Sequence, residues 1–72
     1  MSSDLRSNVA TADALTLLLH NQHALAAAIE EVTKWLSDSG IQGVADSALC
    51  AMETLDANAQ AIADVITRLR NF

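Results

Sequence analysis

Seventy-two residues with nine acids, four lysines and arginines, one cysteine and no proline allow one small domain, and a chain of that length buries little of its surface unless it is stapled or oligomeric. A single thiol rules out an intrachain disulfide and fits a reducing compartment, so the expected address is the cytoplasm. The net charge of −5, with basic residues scattered at Arg6, Lys34, Arg68 and Arg70, weighs against nucleic-acid binding, which needs clustered cations to displace phosphate counterions.

Residues 1–8 carry little apolar content and are expected to fray. No basic leader precedes an apolar stretch there, and no apolar run approaches the ~18 residues of a membrane span, so neither a signal peptide nor membrane contact is expected. Alanine fills about a fifth of the chain, which favours helix strongly. The periodicity predicts helix 1 over about 9–39 and helix 2 over about 44–70. Between them, residues 40–43 hold both glycines of the chain. Gly40 suits the left-handed position that ends a helix, and Gly43 can serve as an N-cap with Asp46 in the first turn beyond it.

In helix 1, Leu15, Leu18, Gln22, Leu25, Ile29, Val32 and Leu36 recur at alternating steps of three and four, a heptad seam broken only at Gln22. Helix 2 repeats the pattern through Val44, Ala48, Ala51, Leu55, Asn58, Ile62, Val65 and Leu69, broken only at Asn58. Folding the chain about Gly40 sets Leu36 against Val44, Leu25 against Leu55 and Leu15 against Val65. Gln22 then meets Asn58, and a buried amide pair in one layer would penalise slipped registers. The alternative is that one or both amides sit at a loosened edge and reach water.

A second apolar stripe lies beside each seam: Leu17, Ala24, Ala28 and Trp35 on helix 1, and Ala45, Leu49, Met52, Ala59 and Ile66 on helix 2. Two helices cannot cover two stripes each. The expected fold class is therefore all-α, a coiled-coil-like antiparallel two-helix hairpin that dimerises into a four-helix bundle. Those stripe residues are the expected interface, with itself as the first partner and another protein as the alternative. Trp35 could anchor that interface or close the core beside the turn, while Phe72 falls at the opposite end.

The candidate chemical groups are few. His20 and His23 share a helix face at a spacing that two metal ligands can use, but a stable site needs further ligands, and the heptad puts both on the outer face with Asp13, Glu30 and Lys34. No metal or other cofactor is therefore expected, with a histidine-based metal bundle kept as the alternative. Cys50 has no cationic neighbour to activate it and reads as a small half-buried hydrophobe. Glu30, Glu31, Asp46, Glu53, Asp56 and Asp64 read as a solvated acidic face, with Glu30 and Lys34 as an ordinary ion pair. Nothing forces two carboxylates into an apolar pocket, so no enzyme is expected.

In size and pattern the chain resembles the short alanine-rich helical-hairpin proteins of bacteria and their phages, some of which are small regulators that bind another protein. The expectation is a non-enzymatic interaction module acting as adaptor, chaperone or regulator. A structural subunit of a larger complex is the further alternative.

Overall fold

The computed structural model describes residues 2–71 and the side chains of residues 4–71; Phe72 lies outside them. Two helices, α1 (Ser2–Asp38) and α2 (Gln42–Arg70), pack against each other as an all-α hairpin, with no strand among the described residues. The molecule measures 57 × 15 × 12 Å, its length set by α1, whose 37 residues span about 55 Å at the α-helical rise.

Helix α1 starts at Ser2 rather than near residue 9. Nothing in the first residues breaks a helix, since proline and glycine are absent before Gly40, and Asp4 in the first turn complements the helix dipole. At the other end the turn is tight. Gly40 takes φ +82°, its N–H donates to the Ser37 carbonyl at 3.0 Å, and the Ile41 N–H donates to the Leu36 carbonyl at 2.9 Å. This pair of bonds around a left-handed glycine is a Schellman motif, which satisfies carbonyls that the helix end would otherwise orphan.

Because that motif consumes only Ser39, Gly40 and Ile41, α2 begins at once at Gln42, with Ile41 as its N-cap and no side-chain capping bond. Gly43 is therefore inside the first turn rather than at the cap, and Asp46 falls beyond that turn. Side chains tie the junction instead: the Ser37 hydroxyl donates to Gln42 Oε1 at 3.1 Å, and Gln42 Nε2 donates to Asp46 Oδ1 at 2.8 Å.

Each helix presents to the other a heptad seam, but not the one expected. Less exposed residues recur at heptad spacing through Ala12, Leu15, Leu19, Gln22, Ala26, Ile29, Thr33 and Leu36 of α1 and through Ala45, Ala48, Met52, Leu55, Ala59, Ile62, Ile66 and Leu69 of α2. Asn8, Thr16, Ala63 and Val65 are half-buried as well. Half of each expected seam is retained, whereas Leu18, Leu25 and Val32 give way to Leu19, Ala26 and Thr33, and Val44, Ala51 and Asn58 give way to Ala45, Met52 and Ala59. Both helices are rolled by about 50° from the expected orientation, because every second seam position is kept and the others are replaced by one lying a residue, or about 100°, further round. The most buried positions of the seam are small. Ala12 and Ala45 are the buried apolar residues, and Thr33 is buried with its hydroxyl donating to the Ile29 carbonyl at 2.7 Å; residues of this size let two helix backbones approach closely where Leu or Val would hold them apart.

Candidate interaction surface

The roll leaves the two long sides of the hairpin chemically unlike. Along one side run Asp13, Thr16, His20, His23, Glu30 and Lys34 of α1, facing Asp56, Gln60 and Arg70 of α2. Arg70 Nη2 donates to Asp13 Oδ1 at 2.9 Å and to Thr16 Oγ1 at 3.3 Å, fastening the end of α2 to α1. This is the ion pair that the described residues make, and the pairing expected between Glu30 and Lys34 is not among them. His20 and His23 are both exposed. His23 shares a shallow groove with Asp56 and Gln60, yet no group of three potential metal ligands gathers among the described residues.

The opposite side is apolar. Leu18, Leu25 and Val32 of α1 stand 59%, 63% and 56% exposed, and Val44 of α2 is 55% exposed. Leu17 and Trp35, at 67% and 65%, widen the strip on α1 together with the exposed Ala24 and Ala28. Leu25, Ala28, Ile29 and Val32 join Ala48 across the helix junction in one shallow groove. The surface thus continues from one helix onto the other. Scattered exposed leucines are normal on a protein surface; here they form a contiguous strip.

Of the residues expected at the interface, Leu17, Ala24, Ala28 and Trp35 are exposed on the apolar side, whereas Leu49 is exposed in a groove that it shares with Glu30 and Lys34 on the polar side. Ala45, Met52, Ala59 and Ile66 are not free for it: Ala45 is fully buried and the other three are half-buried in the seam against α1. Their places on the outer face are taken by Val44 and Ala51, which the heptad reading had put inside. Trp35 stays on the surface instead of closing the core beside the turn. Cys50 is exposed rather than half-buried.

The expected amide layer is also corrected. Gln22 does cross the seam, but its Nε2 donates to the Leu55 backbone carbonyl at 2.8 Å, while Asn58 is exposed. The roll of α2 carries Asn58 off the seam and puts Ala59 in its place. Gln22 then finds its acceptor on the backbone that the small neighbouring residues allow to come close.

No helix among the described residues is long and apolar enough to cross a membrane. No protein-family model, curated protein or solved structure matches the chain.

Proposed function

We propose that this chain is a non-enzymatic helical interaction module that self-associates through its apolar side into a four-helix bundle and serves another protein as adaptor, chaperone or regulator. The observation that carries the reading is the imbalance between what the hairpin buries and what it exposes. No large side chain is fully buried among the described residues, and the chain exposes 5231 Å². A folded monomer of this mass exposes about 4,300 Å². The excess, about 900 Å², is close to the ~800 Å² that each partner contributes to a standard stable interface.

In a dimer the acidic outer positions stay in water, where Glu53 and Asp64, both exposed, are available to a basic or polar protein partner. Native mass spectrometry of the untagged chain is expected to give a dimer. Leu18→Ser combined with Leu25→Ser is expected to give a monomer, because both side chains lie at the centre of the strip. A wild-type monomer at tens of micromolar would refute self-association. Charge reversal at Glu53 and Asp64 leaves the dimer intact, since neither residue lies on the apolar side.

A further inference from the structure

The second copy can stack on the apolar side with its turn at the same end or at the opposite end, and the distribution of charge and bulk along the hairpin discriminates between them. We infer that the two hairpins pack with their turns at opposite ends, about a two-fold axis that crosses the apolar side near Leu25, so that α1 lies on α1 of the partner and α2 on α2. The inference rests on the self-association proposed above and adds its geometry.

Charge is the first argument. The turn-proximal half, residues 24–55, holds Glu30, Glu31, Asp38, Asp46 and Glu53 against Lys34 alone, a net −4, whereas the rest of the chain sets Asp4, Asp13, Asp56 and Asp64 against Arg6, Arg68 and Arg70, a net −1. Turns at the same end would place the two most acidic halves side by side. Turns at opposite ends place each −4 half beside the −1 half, which carries three of the four basic residues, so like-charge repulsion is smaller, and charge arrangement of this kind selects orientation more strongly than it adds affinity.

The residue pattern is the second. An axis near Leu25 brings Leu18 of one copy onto Val32 of the other and Leu25 onto its own equivalent. One helix face over, it seats the large Trp35 over the small Ala14 and sets Asn21 beside Ala28. On α2 the same axis pairs the exposed Val44 with the half-buried Val65, and Ala51 with Asn58. Trp35 thus meets a small residue, and Leu18, Leu25 and Val32 meet apolar partners along α1, as close packing requires. This axis also falls near the middle of the length over which α1 and α2 lie side by side, so the two hairpins overlap almost completely. A two-fold displaced by one heptad would leave part of the apolar strip of each copy uncovered.

The test is a distance. With Cys50→Ser to remove the native thiol, Ser39→Cys carries a spin label at the turn, an exposed position. Opposed turns place the two labels about 40 Å apart at 1.5 Å per residue, whereas turns at the same end hold them within about 20 Å, given helix spacings near 10 Å. A long distance in a species that native mass spectrometry shows to be a dimer is the expected result. A short distance in such a dimer overturns the inference and leaves self-association standing; a monomer removes both. Leu25→Cys in the same background gives an independent reading. It is expected to form a disulfide-linked dimer under mild oxidation, and a dimer that does not cross-link there places the axis elsewhere and overturns the inference.

Discussion

At the scale of single residues, Gln22 shows how a polar side chain is accommodated in an apolar seam. Its amide needs a partner when desolvated, and the nearest acceptor is a backbone carbonyl of the facing helix at 2.8 Å rather than another side chain. A carbonyl already engaged in a helix can accept a second bond through its other lone pair. Gln22→Met, similar in volume, is expected to cost about 0.5–1 kcal/mol, the usual net worth of such a bond. Asn58→Leu is expected not to destabilise, because the amide is exposed and leucine would extend the apolar side. The two changes share no bond and should add within about 0.5 kcal/mol. A coupling above 1 kcal/mol in denaturant titrations would mean that the amides meet after all. That Gln22 interrupts a heptad was legible in the sequence; its acceptor was not, because a backbone carbonyl leaves no sign in side-chain spacing.

Among the elements, the turn is the part whose sequence signal and structure agree most directly. Gly40 was the expected left-handed terminator, and it holds φ +82°. A Cβ added there meets nothing within 4 Å, so the cost of Gly40→Ala is one of backbone conformation alone, about 1–2 kcal/mol. Thermal and urea unfolding should show that loss, with Gly40→Asn falling between alanine and wild type; a neutral alanine would mean the turn has another conformation available. The signal is strong because only one residue type is at ease in that conformation. The orientation of the helices had no such signal. Leu18, Leu25 and Val32 at one set of positions on α1 and Leu19, Ala26 and Thr33 at the next offer two adjacent seams, and side-chain spacing alone does not separate them. The structure takes the smaller Ala26 and Thr33 on α1 but Met52 in place of Ala51 on α2, since the packing of two long helices depends on fit as well as on the area removed from water.

For the whole molecule, the outcome is a hairpin 57 Å long with several large apolar side chains facing outwards, Leu17, Leu18, Leu25, Val32, Trp35 and Val44 among them. A hairpin with so thin a core should derive much of its stability from association, and association makes apparent stability depend on concentration. The melting temperature is expected to rise with protein concentration over a hundredfold range. Leu25→Lys should lower it and abolish that dependence, because a charge at the centre of the strip opposes burial without touching the seam within the chain. A wild-type melting temperature independent of concentration would indicate that the hairpin is self-sufficient.

Helical class, the number of helices, the place of the turn and an excess of apolar surface were determined by the sequence alone, because each follows from local propensity, from glycine's freedom at one position and from the ratio of apolar residues to available core. The tertiary structure alone decided which stripe is inside. Ala45, Met52, Ala59 and Ile66 went into the seam, and Leu18, Leu25, Val32 and Val44 went outside. That choice turns on how closely two particular backbones can approach, a property of the pair of helices that neither helix specifies separately.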